Sequence, residues 1–242
     1  MKKIVAFILV ACMMLVLASC GNAPDTEKGE GVMTYAEYMA AAEEAAVVVE
    51  GYVQGFAFSE AYGNASFFIQ DADGAYYVYR MPCTADDAAK LVAGTKVKVS
   101  GYKTSWSGEV EIKEATYEIE DGKYVAKATD VTSLLGTDKL IEKQNMLVSF
   151  KGATVKGMSD GTSAFYYSWD NSGQKGSNND LYFDVEIGGA TYTFTVESDE
   201  QPEGSAVYSA VEGLKIGDKI DLEGFLYWYN GAQPHITSVV VK

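Results

Sequence analysis

The sequence predicts an all-β protein with short helices, built as two tandem five-stranded Greek-key barrels. One observation is a stretch that occurs twice, with three glycines repeated at a constant offset of 123 residues. They are Gly94, Gly101 and Gly108 in the first copy, and Gly217, Gly224 and Gly231 in the second. The other observation is the same order of elements in each copy, three strands, a helix and two strands. A repeat of this length indicates a duplicated domain of about a hundred residues.

The first 19 residues have the pattern of a secretory signal peptide. Two lysines precede an uncharged apolar run from Ile4 to Ser19, and the run is shorter than the roughly 20 residues of a membrane-spanning helix. The segment Leu17-Ala-Ser-Cys20 resembles the lipobox of bacterial lipoproteins. That resemblance implies that Cys20 carries a lipid anchor and that the mature chain lies on the extracytoplasmic face of the cell membrane.

The chain is acidic, with a formal net charge of −15. Both copies share this charge, which is −6 over residues 45–122 and −7 over residues 147–242. Nucleic-acid binding usually leaves a basic patch, because neutralised phosphates supply much of the affinity. The composition therefore argues against nucleic acid as a partner, and the membrane enters only through the lipid anchor.

Few residues could carry catalysis or bind a metal. Cys83 is the single thiol left once Cys12 leaves with the signal peptide and Cys20 carries lipid, so no disulfide is expected within one mature chain. His235 is the only histidine, which leaves no second histidine for a zinc cluster and no Ser-His-Asp pattern. The turn from Asp71 to Gly74 lacks calcium-loop spacing. We predict no catalytic residue, no metal site, no cofactor and no enzyme activity.

The elements of the first copy follow in order. A tether and short helix, with capping-box spacing at Thr34 and Glu37, are predicted over residues 20–45. The first domain is predicted over residues 46–122. Its second and third strands form a hairpin through Asp-Gly at 73–74, and a helix from Thr84 precedes the last two strands. This order in a small β unit looks like the OB-fold, a five-stranded Greek-key barrel.

The second copy repeats this order. Residues 123–146 are predicted as a connector and residues 147–242 as the second domain. Apolar residues alternate on both sides of Gly188-Gly189, which predicts a hairpin. A helix is expected from Ala206 to Glu212, ending at Gly213. The loop between the first and second strands is much longer than in the first copy and rich in aromatic residues.

Aromatic residues give the predicted ligand site. OB-folds bind ligands on the face of strands two and three, between the loops that join strands one to two and four to five. The predicted ligand-binding residues lie in these loops: Tyr166, Tyr167, Trp169, Tyr227, Trp228, Tyr229 and Trp106. In the first copy the equivalent positions are Phe56, Phe58 and Tyr62 for the loop between strands one and two, and Tyr102 and Trp106 for the loop between strands four and five. The same rings could instead pack in the barrel cores, so both interpretations stay open.

Four features of the chain together resemble a group of uncharacterised tandem OB-fold lipoproteins of Gram-positive bacteria. They are the lipobox, the hairpin QDADGAYYVY, the segment GTKVKVSGYK and its second copy GDKIDLEGF. This resemblance implies fold and location rather than a ligand. The first hypothesis is a lipid-anchored, non-catalytic extracellular module that holds a glycan or another polar polymer on its aromatic loops. One alternative is single-stranded nucleic-acid binding, with Lys96, Lys98, Lys103 and Arg80 as contacts. The other is an envelope adaptor that binds a protein. The oligomeric state stays open.

Overall fold

The computed structural model describes residues 23–242. Five strands close a first barrel in the order β1-β2-β3-β5-β4. Strand β4 pairs with β1 and closes the ring, while β3 and β5 run parallel. The strands are β1 (Ala46–Ser59), β2 (Asn64–Gln70), β3 (Ala75–Pro82), β4 (Thr95–Trp106) and β5 (Glu109–Lys123).

The second sheet repeats this ring. Strand β7 pairs with both β11 and β9, and β10 runs parallel to β12. Two-residue strands β6 and β8 extend the sheet at its edges, giving the order β6-β7-β11-β12-β10-β9-β8. The strands are β6 (Thr129–Asp130), β7 (Leu147–Val155), β8 (Tyr166–Tyr167), β9 (Leu181–Ile187), β10 (Ala190–Val196), β11 (Lys219–Phe225) and β12 (His235–Val241). The predicted all-β, OB-like fold class is confirmed.

Three α-helices accompany the strands. α1 (Tyr35–Ala40) begins at the predicted capping box, since the Thr34 hydroxyl accepts from the Glu37 backbone and the Glu37 side chain accepts from the Thr34 backbone. α2 (Ala85–Ala88) and α3 (Ala206–Glu212) each lie between the third and fourth strands of their barrel. Two 3-10 turns, Thr132–Leu134 and Leu140–Lys143, lie in the segment between the barrels. None of the helices in residues 23–242 is long and apolar enough to cross a membrane.

Gly101 and Gly224, which are equivalent in the repeat, are both glycine for the same structural reason. Each lies at a register shift between the fourth and fifth strands of its barrel. A Cβ on Gly101 would lie 2.7 Å from the carbonyl oxygen of Lys113, and one on Gly224 would lie 2.2 Å from that of His235. The sequence repeat therefore preserves two close backbone contacts, one in each barrel.

The segment before α1 is bound to the first barrel. The Lys28 amine pairs with Asp71 and, at 3.1 Å, with Asp73 in the β2–β3 turn. Asp25 accepts from Lys96 at 3.1 Å, and the Met33 amide donates to the Val48 carbonyl at 2.8 Å. The expected flexible tether is therefore wrong for this stretch, because a turn and a strand that are distant in sequence offer it partners.

The two barrels pack against each other through a third apolar cluster. Phe68 and Tyr77 of the first barrel contact Phe225 of the second, with Leu147 and Tyr227 at the margin. A Cβ on Gly55 would lie 2.3 Å from the Phe225 ring, so a glycine leaves room for that ring.

A second contact joins the β4–β5 turn of the first barrel to the second barrel. The Trp228 amide donates to a Glu109 carboxylate oxygen at 2.8 Å, and the Asn230 amide donates to the Ser107 carbonyl at 2.7 Å. The Gln144 side chain donates to the Gly108 carbonyl at 2.8 Å. The first two bonds attach this turn to the second barrel, and the third attaches it to the segment between the barrels.

Candidate functional site

A cleft lies where the ligand face of the first barrel meets the second barrel, with a volume of about 220 Å³. The end of β1, the β1–β2 loop, β2 and β3 form one wall, and the loops after β10 and β11 with the start of β12 form the other. The first wall is therefore the surface on which OB-folds bind ligands. The lining residues are Ala57, Phe58, Ser59, Tyr62, Asn64, Ser66, Tyr77, Tyr79, Arg80, Glu197, Asp199, Glu200, Tyr227 and His235.

Arg80 is directed into this cleft by a bulge in β3. Ala65 pairs with Met81 and Phe67 with Val78, so Tyr79 and Arg80 together oppose Ser66. Arg80 has a φ of 46°, and its amide donates to the Ser66 hydroxyl at 3.0 Å. Bulges re-aim side chains and are common beside binding sites. The chain's only arginine is therefore placed at the mouth of the cleft.

The Arg80 guanidinium lies over the Tyr79 ring, 5.0 Å from its centroid. Among residues 23–242, no carboxylate lies within ion-pair distance of it. Both side chains are exposed. An arginine that stacks on a ring and keeps its hydrogen-bond donors free can bind an anionic group.

His235 forms the floor of the cleft and is buried. Its ring stacks on Tyr227, with centroids 4.3 Å apart, and meets Phe68 edge-on. Nδ1 lies 2.7 Å from a Glu200 carboxylate oxygen, and Nε2 lies 3.5 Å from one of Glu197. Burial by itself would lower the pKa of His235, but the carboxylates of Glu200 and Glu197 outweigh it and raise the pKa to about 9. The ring is an imidazolium at neutral pH.

Three carboxyl groups near the barrel contact have raised pKa values. Burial raises the pKa of Glu109 to about 8, and burial also raises the pKa values of Glu111 and Glu197 to about 7. Hydrogen bonds from Asn145 and Trp228 and the charge of His235 partly offset the effect at Glu109. These three carboxyl groups are therefore protonated more readily near neutral pH than ordinary carboxyl groups are, Glu109 most of all.

The structure does not bring the predicted aromatic residues together. Among those seven residues, Tyr227 lines the cleft. Tyr166 is buried and accepts from the Asp160 amide, and Tyr167 packs on the second core. Trp228 lies against Gly108 at the contact between the barrels. The remaining three, Trp106, Trp169 and Tyr229, are exposed outside the cleft lining.

The four basic residues proposed as nucleic-acid contacts do not lie together in the structure either. Lys96 and Lys98 pair with carboxylates of their own barrel. Lys103 is buried and donates to the carbonyls of Met39 and Ala41. Arg80 alone of the four faces the cleft.

Sequence reasoning missed the grouping around His235. The signal available was composition, since the chain has one arginine and one histidine, and both line the same cleft. Arg80 and His235 are far apart in the sequence, and no sequence motif includes both of them. Cys20 lies outside the described residues, so the lipid anchor and the membrane location stay predictions.

Comparison with known proteins finds neither a matching family model nor a matching curated protein. Similar solved structures include the Ifi202 HINa domain in complex with 20-bp double-stranded DNA, with 15% identity and a TM-score of 0.35 over 82% of this chain and 98% of that chain. The p204 HINb domain has 12% identity and a TM-score of 0.35 over 84% and 100%. A replication protein A heterotrimer bound to single-stranded DNA has 9% identity and a TM-score of 0.27 over 89% and 70%.

Two predictions about ligands are corrected. The glycan hypothesis depended on one aromatic platform, which the described residues do not form, because Tyr227 is the only one of the seven predicted residues that lines the cleft. The prediction that nucleic acid is an unlikely partner is also corrected, because the cleft places on the OB ligand face an arginine that has no ion-pair partner among residues 23–242. It rested on net charge, which does not describe the cleft, because burial raises the pKa of Glu197 and the carboxylates there raise the pKa of His235, which adds a positive charge.

Proposed function

We propose that the protein binds single-stranded nucleic acid, with one unstacked nucleotide held in the cleft between the barrels. The base lies among the tyrosine rings, and its phosphate binds Arg80. The protein acts by binding and carries out no reaction on the strand. Single strands suit this site because their bases can leave the stack and lie on aromatic side chains.

The observation that carries this proposal is the position of Arg80. An arginine beside Tyr79, at a bulge on the OB ligand face and without an ion-pair partner among residues 23–242, places an anion contact next to a ring that can stack a base. The cavity of about 220 Å³ is smaller than the roughly 300 Å³ at which drug-sized pockets begin. It therefore matches one base rather than a base pair.

The charge of the cleft limits the number of phosphate groups that the protein can contact on a bound nucleic-acid strand. Arg80 and His235 are the only basic side chains among the described residues of the cleft lining, and His235 is already paired with Glu200. One phosphate contact is therefore expected. Single-strand binding loses affinity with salt at a slope of about −0.7 for each phosphate neutralised, so a slope near −0.7 is expected.

The test is fluorescence anisotropy of a labelled mixed-sequence DNA octamer with the full chain, across a salt series. We expect saturable binding, a shallow salt slope and a loss of about tenfold for Arg80→Ala or Tyr79→Ala, since stacking contributes roughly 1–3 kcal/mol per base. The matched control is Lys98→Ala, which also removes one positive charge but lies on β4 and pairs with Glu118.

Three results would contradict the proposal. They are no binding by the native chain, equal losses in Arg80→Ala and Lys98→Ala, and a steep salt slope of several units. The second would indicate general electrostatic attraction, and the third would indicate a surface that contacts many phosphates.

A further inference from the structure

The two walls of the cleft differ in charge. Among the described lining residues, the wall from the first barrel contains Arg80 and no carboxylate, whereas the wall from the second barrel contains Glu197, Asp199 and Glu200. His235, the other basic residue of the lining, is buried beside two of these carboxylates. Carboxylates repel phosphate groups, and an arginine attracts them. The sugar–phosphate backbone of a bound strand is therefore expected to run along the first barrel.

A second cavity adjoins the cleft but does not suit the continuation of such a strand. It is a groove of about 330 Å³ between the barrels, and Glu200 lines both it and the cleft. Glu223 also lies in this groove, and no basic side chain occurs among the described residues that line it. Phosphate groups would be repelled there. The strand is therefore expected to leave the cleft past Arg80 instead.

An exposed tyrosine, Tyr62, lies at the mouth of the cleft in the β1–β2 loop. Its side chain lines the cavity and is 79% exposed. The Gly63 amide donates to the Glu60 carbonyl at 3.3 Å, and the Cys83 amide, directly after β3, donates to the Gly63 carbonyl at 3.0 Å. In the described part of the chain, no other aromatic ring packs on Tyr62. The loop is therefore fixed to the end of the strand that carries Arg80, and it presents a free ring there.

We infer, on the basis of the proposed function, that Tyr62 binds a second base and that the smallest ligand that fills the site is a dinucleotide. The cavity of about 220 Å³ holds one base, so the next base of the strand lies outside it. That base stacks on the exposed ring of Tyr62, because every base has a face that can stack on an aromatic side chain. Arg80 binds the phosphate that links the two nucleotides.

The experiment measures how two unlabelled dinucleotides displace a labelled thymidine octamer from the full chain at constant salt. One is TpT, and the other keeps the same phosphodiester but has an abasic sugar in place of one thymidine. We expect TpT to displace the octamer at about tenfold lower concentration, because only TpT can stack a base on Tyr62. If the octamer does not bind, the proposed function fails. If the octamer binds and both dinucleotides displace it equally, the proposed function stands and the second-base inference is overturned.

Variants of Tyr62 add a second readout. Tyr62→Ala should weaken TpT about tenfold and leave the abasic dinucleotide unchanged, because it removes the ring and keeps the phosphate contact. Tyr62→Phe keeps the ring, so it should keep the preference for TpT. Trp169→Ala is the matched control, because that ring is 77% exposed and lies outside the cleft lining. It should also keep the preference. Retention of the full preference by Tyr62→Ala would exclude Tyr62 as the second stacking residue.

Discussion

Phe68 of the first barrel stacks on Phe225 of the second, with ring centroids 4.4 Å apart and ring planes 8° from parallel. Both rings are buried. Next to this stack, Tyr77 of β3 lies edge-on to Tyr227 in the loop after β11, with ring centroids 5.5 Å apart, and both residues line the cleft. The stack that joins the barrels therefore also fixes the distance between the two walls of the candidate site.

The first prediction concerns this stack. Phe225→Ala should lower the free energy of unfolding by about 3 kcal/mol, because it removes a buried ring and leaves a cavity between the barrels. We also expect a second transition to separate in urea unfolding, since the barrels would no longer melt together. Trp169→Ala is the control, because that ring is 77% exposed, and its effect should stay within about 0.5 kcal/mol. A single unshifted transition in Phe225→Ala would refute this prediction.

The second prediction concerns the repeated glycines. Gly101→Ala and Gly224→Ala should each lower stability by about 1–3 kcal/mol, because the new methyl groups would meet backbone oxygens at 2.7 and 2.2 Å. Gly213→Ala makes the same change at the end of α3, where the nearest atom is 3.4 Å away and φ is −85°. It should be neutral within about 0.5 kcal/mol. Thermal unfolding of the three variants measures the difference, and equal melting temperatures would contradict the argument.

The third prediction concerns pH. Glu109 has a pKa of about 8 in the folded chain against an ordinary value of 4.5. Between these values the folded chain holds a proton that the unfolded chain has lost, so stability falls as pH rises. His235 acts in the same direction. Its raised pKa gives stability that is fully present below about pH 6.5 and is lost as pH rises through about 9.

Urea unfolding at about pH 5.5, 7.5 and 9.5 should therefore give a decreasing free energy of unfolding. Glu109→Gln should flatten the decrease, because an amide keeps an oxygen for the Trp228 amide and does not titrate. Glu118→Gln, at an exposed site, should keep the native slope. An unchanged pH dependence in Glu109→Gln would show that Glu109 is not responsible.

The barrels themselves were largely predictable. Alternating apolar residues around Gly188-Gly189 predict the β9–β10 hairpin, and Gly213 marks the end of α3, as the structure confirms. Such features depend on neighbouring residues, because successive side chains of a strand point to opposite faces. The site was predicted far less well. Of the seven aromatic residues proposed, Tyr227 is the one that lines the cleft.

The sequence by itself determined the order of strands and helices along the chain and the repeat of that order, because periodicity and turn chemistry are local properties of the chain. The reason for the repeated glycines Gly101 and Gly224 came from the structure, which shows the backbone atoms that lie close to them. The tertiary structure decided which exposed face of the first barrel the second one covers. That choice depends on complementary surfaces such as Phe68 against Phe225 with Gly55 beneath, which leave no periodic pattern. It also set the charge of the site, because burial and pairing at Glu109, Glu197 and His235 follow from packing rather than from composition.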